Sequence, residues 1–189
     1  ILDRLKLETG KPDLSEWQSI VDQCRAATDK LRIGIVGKYV ELHDAYMSVN
    51  ESIVHASIHQ NQDVEVVWIH SGELEKGKGL DELATLDGIV VPGGFGYRGI
   101  EGKIIAAQYA REHNVPYLGL CLGMQVLCIE FARNVLGLDD ANSAEFDEST
   151  PHPVINLMLE QRAITDMGGT MRLGQYPCSL VPHSKAHKA

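Results

Sequence analysis

No stretch of this sequence approaches the roughly 20 consecutive apolar residues that a membrane-spanning helix needs. Basic residues are also scarce: 17 Lys and Arg stand against 26 Asp and Glu, which gives a formal net charge of -9. Because nucleic acids and anionic membranes bind basic surfaces, this balance disfavours both as partners. A protein that acts on small molecules is therefore the better expectation.

Cysteines are sparse as well. The four in the sequence are Cys24, Cys121, Cys128 and Cys178. Since they form no Cys-x-x-Cys pair and are too few for a disulfide scaffold, they predict a reducing, cytoplasmic compartment. The sequence begins at Ile1 without a signal peptide, and we expect it to be a piece of a longer polypeptide.

The first 30 residues differ in pattern from the rest. They are charged and helical in periodicity, and Asp13 followed by Glu16 can cap a helix. The apolar face of that helix comprises Leu14, Trp17, Val21 and Cys24. Such a face must pack against another surface. We assign residues 1–30 to a linker with an amphipathic helix and residues 31–189 to one globular domain.

Short β-rich runs alternate with helical periodicity after residue 30. The predicted strands are 31–37, 64–70, 87–94 and 115–121, and predicted helices lie around 44–60, 100–113 and 122–136. The strands lack polar alternation, as is typical of a parallel sheet covered on both faces. We predict a doubly wound, mainly parallel α/β fold of the flavodoxin-like kind. In such folds ligands bind outside the carboxyl ends of the strands.

A glycine-rich loop follows the third predicted strand. Residues 94–99, Gly-Phe-Gly-Tyr-Arg-Gly, match the Gly-x-Gly-x-x-Gly pattern of dinucleotide-binding folds. Such a site also needs an Asp or Glu about 20 residues on, at the end of the next strand. No acidic residue lies between Glu112 and Glu130. The loop therefore does not by itself predict a dinucleotide cofactor, and a plain strand-to-helix turn is an equal alternative.

The next strand ends in Gly119-Leu120-Cys121-Leu122-Gly123, a cysteine version of the Gly-x-Ser-x-Gly nucleophile elbow. A side chain presented on a sharp strand-to-helix turn crowds its neighbours, so small residues are needed two positions before and after it. The N-terminal end of the following helix should favour the thiolate. Cys121 is thus the candidate nucleophile, and the N–H groups of Gly94 and Leu122 are candidate oxyanion donors.

The helix after Cys121 is predicted to be buried on one face and to stop at Gly137. That face comprises Val126, Leu127, Phe131 and Val135. Cys128 is expected to be an ordinary residue of the helix core, because it lacks the glycines that flank Cys121.

Several segments resemble the glutamine amidotransferase domain of the CTP synthase family, a class I (triad-type) amidotransferase. They are "VGKYVELHDAYMSV", "VPGGFGYRGIEGK", "PYLGLCLGMQ", "DANSAEFDEST" and "GGTMRLG". The resemblance spans residues 31–180, and residues 1–30 resemble the linker to a synthase half. It implies the class I glutamine amidotransferase fold.

The resemblance implies that Cys121 attacks the side-chain carboxamide of L-glutamine, releases ammonia and leaves a glutamyl thioester. The matching glutamine-binding positions are Gly94, Phe95, Leu122, Gln125 and Glu145. Glu145 corresponds to the acid that receives the α-ammonium group of the substrate.

The resemblance further implies that ammonia passes to a synthase half, where UTP activated by ATP, with Mg²⁺, becomes CTP. GTP is the expected activator, and the whole enzyme is expected to be a homo-oligomer. The effector candidates are Lys38, Phe95, Arg98 and Glu101. The alternative is that these four belong to a solvated loop. No cofactor or metal is expected in this domain.

One departure from the family is serious. Class I amidotransferases use a His-x-Glu pair downstream of the nucleophile, and none occurs here. We expect that the sequence stops before that element, because the remaining residues follow the family closely. His183 and His187 are poor substitutes, because neither has the Glu and both lie in a polar tail. Two alternatives stay open: a catalytically silent GTP-sensing or assembly module, and another cysteine enzyme of related fold, such as a peptidase.

Two weaker patterns are set aside. Residues 72–79, "GELEKGKG", resemble a phosphate-binding Walker A loop, but Gly79 replaces the Ser or Thr that contacts Mg²⁺. His55 and His59 have metal-ligand spacing on a helix, but Ala56 replaces the Glu of His-Glu-x-x-His. Neither pattern predicts a site.

Overall fold

A computed structural model describes residues 2–7, 10, 12–158, 175 and 177–188. The chain divides into two compact units, Ile1–Ile155 and Asn156–Ala189. The segment "GGTMRLG", residues 168–174, lies outside the described residues. The proposed boundary between linker and domain at residue 30 stays a prediction.

The elements of the first unit follow the predicted alternation of strands and helices. Its strands are β1 (Lys30–Gly37), β2 (Asp63–His70), β3 (Gly88–Val91), β4 (Tyr117–Gly119), β5 (Ala141–Ser143) and β6 (His152–Ile155). Its helices are α1 (Leu2–Leu5), α2 (Ser15–Ala26), α3 (Met47–His59), α4 (Ser71–Leu74), α5 (Leu80–Leu83), α6 (Ile100–His113) and α7 (Leu122–Asn134), with a 3₁₀ turn at His43–Tyr46 before α3. The second unit contains α8 (Lys185–Lys188).

The main sheet has the order β2-β1-β3-β4, and every pairing in it is parallel. Ile33 of β1 pairs with Val66 on one side and with Gly88 on the other. This order matches the first four strands of a flavodoxin-like sheet, whose topological switch point lies between β1 and β3. The predicted fold class is therefore confirmed. Strands β5 and β6 form a separate parallel pair.

Both faces of the main sheet are covered. On one face Ile35 packs with Tyr46 of the 3₁₀ turn and with Trp68 of β2. On the opposite face its neighbour Val36 belongs to the larger core, which includes Ile104 of α6 and other side chains of α6 and α7. Successive residues of a strand point to opposite faces, so a strand buried on both faces reads as a continuous apolar run.

Helix α2 forms where the sequence predicts a helix, but its apolar face is exposed. Asp13 Oδ1 accepts a hydrogen bond from Ser15 N–H at 3.0 Å, and the helix begins at Ser15 rather than directly after Asp13. Leu14 is 60% and Trp17 69% exposed. The partner surface that this face requires is not supplied by the described part of the first unit.

The predicted buried face of α7 is partly wrong. Val126 is fully buried, whereas Phe131, Val135 and Cys128 are exposed. Helical periodicity predicts that one face is buried, but the neighbouring elements decide which one, and here the buried stripe is centred on Val126 and Ile129. Within the described residues, no helix is long and apolar enough to cross a bilayer.

Candidate active site

Three loops meet at the carboxyl ends of adjacent parallel strands. Lys38 follows β1, residues 92–99 follow β3, and Cys121 follows β4. The ammonium group of Lys38 donates a hydrogen bond to the carbonyl oxygen of Phe95, which ties the first loop to the second. The glycine-rich loop and the candidate nucleophile therefore share the edge at which doubly wound sheets bind ligands.

Cys121 adopts the strained backbone that a nucleophile elbow requires. Its φ is 53° and its ψ is -107°, on the turn between β4 and α7. A positive φ is unusual for a residue with a Cβ and marks functional turns. A Cβ on Gly119 would lie 2.5 Å from the Gly123 backbone, and one on Gly123 would lie 1.9 Å from the Val91 carbonyl oxygen. Both flanking positions therefore require glycine, because neighbouring backbone atoms lie too close to leave room for a Cβ.

Tyr117 supports the same turn. Its hydroxyl donates a hydrogen bond to the carbonyl oxygen of Gly123 at 2.8 Å. Burial raises the pKa of Tyr117 well above its usual value, so the hydroxyl remains a protonated donor. Sequence reasoning missed this contact, because a tyrosine in an apolar strand carries no signal of a polar role.

The glycine-rich loop lies against the sulfur. A Cβ placed on Gly93 would be 3.4 Å from the Cys121 Cβ and 3.9 Å from Sγ. A Cβ placed on Gly94 would be 3.5 Å from Leu122 Cδ2. Neither the Gly94 N–H nor the Leu122 N–H has an acceptor among the residues described. These two N–H groups can therefore donate hydrogen bonds to a ligand oxygen. Gly93 itself was not singled out from the sequence.

The structure also brings Glu145 to this loop, although 49 residues separate Glu145 from Gly96. Glu145 Oε1 lies 3.5 Å from the Gly96 N–H, at the limit of a hydrogen bond. The Glu145 N–H donates to Ser143 Oγ at 3.2 Å, which fixes the start of the turn after β5. Gln125 is half-buried in the first turn of α7. A carboxylate beside the glycine loop suits a ligand with a positive charge.

The four effector candidates divide into two groups. The Lys38 ammonium lies 5.0 Å and the Arg98 guanidinium 5.7 Å from the ring centroid of Tyr39, within cation–π range. The carboxylate of Glu101 instead binds Arg133 of α7 through contacts of 2.9 and 3.0 Å. Lys38, Arg98 and the 82% exposed Phe95 are thus on neighbouring loops, whereas Glu101 faces α7.

Lys103 is the least expected residue at the site. It lies in the first turn of α6 and is only 1% exposed, although lysine is almost never fully buried unless it is paired. Its Nζ lies 3.6 Å from the position of a Cβ on Gly94. Burial and, to a smaller extent, the charge of Lys38 together lower the pKa of Lys103 to about 8, although Cys121 opposes the shift. Sequence reasoning gave no sign of this burial.

An ion pair between a partly exposed arginine and a buried glutamate joins the two helices that start at the site. Glu130 of α7 is fully buried and accepts hydrogen bonds from Arg111 of α6 at 2.8 to 3.1 Å. Asn134 donates to the same carboxylate at 3.2 Å. Because α6 follows the glycine loop and α7 starts next to Cys121, this pair restricts the relative placement of both helices.

Other residues considered in the sequence contribute little to the site. His183 and His187 belong to the second unit, where the His187 N–H donates to Ser184 Oγ at 3.1 Å. His55 and His59 are exposed on α3. In the described part of the chain, no three His, Cys, Asp or Glu side chains are grouped so that they could hold a metal ion.

A cysteine on a positive-φ turn at the carboxyl edge of a flavodoxin-like sheet narrows the class of protein. The chain belongs to the glutamine amidotransferases of class I: the pattern of the family "Glutamine amidotransferase class-I" matches residues 41–188. The resemblance seen in the sequence is thereby confirmed.

Similar proteins narrow the class further. The chain is 55% identical to the CTP synthase of Moorella thermoacetica and 58% identical to that of Carboxydothermus hydrogenoformans, each over 189 residues. These alignments cover all of this chain but 35% of each relative, so the chain spans about a third of their length. A solved structure described as the Trypanosoma brucei CTPS glutaminase domain with bound acivicin is 46% identical, with a TM-score of 0.65, over 70% of this chain and 52% of that one.

Proposed function

We propose that this chain is the glutamine-hydrolysing part of a CTP synthase and that Cys121 is its nucleophile. The observation that carries the proposal is the position of Cys121: a positive-φ turn presents its sulfur directly below the glycine loop at residues 93–94. The relatives named CTP synthase, which match the chain over its whole length, support the choice of reaction.

The proposed chemistry has two halves. The Cys121 thiolate attacks the side-chain carbonyl carbon of L-glutamine, forming a C–S bond and placing negative charge on the carbonyl oxygen. Breakage of the C–N bond, with a proton delivered to nitrogen, releases ammonia and leaves a glutamyl thioester. Water then hydrolyses the thioester to glutamate and restores the thiol.

Four residues have proposed roles around this reaction. The N–H groups of Gly94 and Leu122 stabilise the oxyanion, and Glu145 receives the α-ammonium group of glutamine. Gln125 is a substrate contact beside the nucleophile. The general base is not assigned, because the sequence contains no His-x-Glu pair.

Ammonia from this reaction would be consumed by a synthase half that converts UTP to CTP with ATP and Mg²⁺. GTP would act as an activator at the surface formed by Lys38, Tyr39, Phe95 and Arg98. Two exposed aromatic rings and two cations suit a purine base and its phosphates. Glu101 is a weaker effector candidate, because its carboxylate is already engaged by Arg133.

Labelling with acivicin tests the nucleophile. We expect acivicin to modify Cys121 and to spare Cys128, which is also exposed and lies on α7, the helix that follows Cys121, so it serves as the matched control. Mass mapping of the labelled peptides measures the ratio. Equal modification of the two cysteines would remove Cys121 from its proposed role.

A second arm tests the reaction in a polypeptide that carries this chain together with a synthase half. Cys121→Ala should abolish CTP formation from glutamine and leave formation from free ammonia largely intact. Loss of both activities would show that the residue is structural. GTP binding without any acivicin labelling would favour a silent regulatory module, and acylation by peptide esters would favour a peptidase.

A further inference from the structure

A buried lysine whose ammonium group makes no hydrogen bond or ion pair within the described residues lies at the candidate active site. Lys103 is 1% exposed, and within the described residues its Nζ has neither a hydrogen-bond acceptor nor an ion-pair partner. A buried charge without a counter-charge is strongly unfavourable, so it is rare outside functional sites. Lysine could be replaced here by an apolar residue of similar length if only packing mattered.

The glycine loop fixes where this ammonium group lies relative to the sulfur. The Cβ position of Gly93 is 3.9 Å from Cys121 Sγ, and the Cβ position of the next residue, Gly94, is 3.6 Å from Lys103 Nζ. The sulfur and the ammonium group therefore approach two successive residues of one loop. This loop is the one proposed to receive the substrate carbonyl.

Within the described residues, none of the other charged groups near Lys103 forms an ion pair with it. Lys38, on the loop after β1, is a second cation. Glu75, which follows α4, has Oε1 3.5 Å from the Gly102 N–H, and Glu101 is ion-paired with an arginine of α7. Cys121 is the group whose negative charge favours protonated Lys103.

We propose that Lys103 is a positioning residue whose ammonium group holds the Cys121 sulfur as a thiolate beneath the glycine loop. The inference rests on the proposed function for the nucleophilic role of Cys121, and it adds the counter-charge. Because the pKa of Lys103 is about 8, the counter-charge is present at neutral pH and is lost as the pH rises through 8. Lys103 should therefore increase the reactivity of the Cys121 sulfur only below about pH 8.

The pH profile of alkylation by iodoacetamide tests the proposal, and it requires neither glutamine nor ammonia. The thiolate displaces iodide and forms a C–S bond, so the rate follows the thiolate fraction. In Lys103→Met, the pH midpoint of Cys121 alkylation should rise by roughly one unit, with about tenfold slower labelling at neutral pH. Cys128, mapped in the same samples, should keep its midpoint.

An unchanged profile at Cys121 would overturn the proposal, and equal shifts at both cysteines would show a general structural effect instead. A second measurement uses the unmutated protein, so the proposal can be tested even if the variant misfolds. Below pH 8 the ratio of the rate with anionic iodoacetate to that with neutral iodoacetamide should be higher at Cys121 than at Cys128. Equal ratios would contradict an unpaired cation beside the sulfur.

Acivicin labelling and the iodoacetamide profile test the two proposals independently. If acivicin fails to label Cys121 while Lys103→Met shifts the iodoacetamide profile, the glutaminase proposal fails and the role of Lys103 stands. If acivicin labels Cys121 and the profile does not shift, the nucleophile stands and Lys103 has no part in its reactivity.

Discussion

Replacing Gly123 with alanine should disrupt the nucleophile turn without removing any reacting atom. The added Cβ would lie 1.9 Å from the Val91 carbonyl oxygen, whereas ordinary contact begins near 3.4 Å, so one backbone must move by about 1.5 Å. Val91 is fully buried in β3, and its carbonyl oxygen accepts a hydrogen bond from the Leu120 N–H at 2.9 Å. The strand therefore resists the movement, and the start of α7 must give way.

The magnitude follows from two known effects. Forced overpacking costs typically 1 to 3 kcal/mol, and a contact between two backbones belongs to the upper part of that range, so we expect a loss of about 2 to 3 kcal/mol. Misplacement of a reacting group by about 1 Å can cost roughly 10²-fold in rate. Cys121 should thus be labelled by acivicin about 100-fold more slowly in Gly123→Ala.

Urea unfolding measures the stability, and timed acivicin labelling measures the site. Gly10→Ala is the matched control, because nothing lies within 4 Å of a Cβ at Gly10. It should leave both quantities close to those of the unmutated chain. A Gly123→Ala protein with unchanged stability and unchanged Cys121 labelling would refute the argument that the elbow depends on this close approach.

Two further predictions concern the cations of the site. Lys103→Met should raise the free energy of unfolding at pH 7 by about 3 kcal/mol, because burial and the nearby charge of Lys38 lower the pKa of Lys103 from 10.5 to about 8 and so disfavour its charged form in the folded state. The gain should shrink as the pH rises from 8 towards 10.5, and urea titrations giving a pH-independent gain would contradict this origin. Arg98→Ala, in a polypeptide with the synthase half, should weaken GTP activation of the glutamine reaction and leave ammonia-dependent synthesis intact. Kinetics at varied GTP concentration measure this activation. An unaltered GTP response would mean that residues 97–101 form only a solvated turn.

Lys103→Met should change the stability of the fold and the reactivity of Cys121 in opposite directions. The same substitution should stabilise the fold and slow the reaction of Cys121, as expected for a residue retained for activity at the expense of stability. If Lys103 had only a structural role, Lys103→Met would not slow the alkylation of Cys121, either at low pH or at high pH.

Local patterns were sufficient to predict much of the fold. The runs at 31–37 and 64–70 appear as β1 and β2 within one residue of the predicted bounds, and the helix at 100–113 has the predicted limits. The elbow was also predictable. A sharp turn at Cys121 needs small residues two positions before and after it, and residues 119–123 contain glycine at both of these positions. These features depend on backbone sterics and on the periodicity of neighbours in sequence.

Contacts between distant segments were decided only by the tertiary structure. The approach of Glu145 to Gly96, the pairing of Glu101 with Arg133 and the burial of Lys103 each depend on how whole elements pack. The sequence by itself determined that a cysteine would stand on a strained turn after a buried strand, since that information lies in adjacent residues. Which charges surround its sulfur depends on loops from several strands meeting at one edge of the sheet, and no local pattern encodes that meeting.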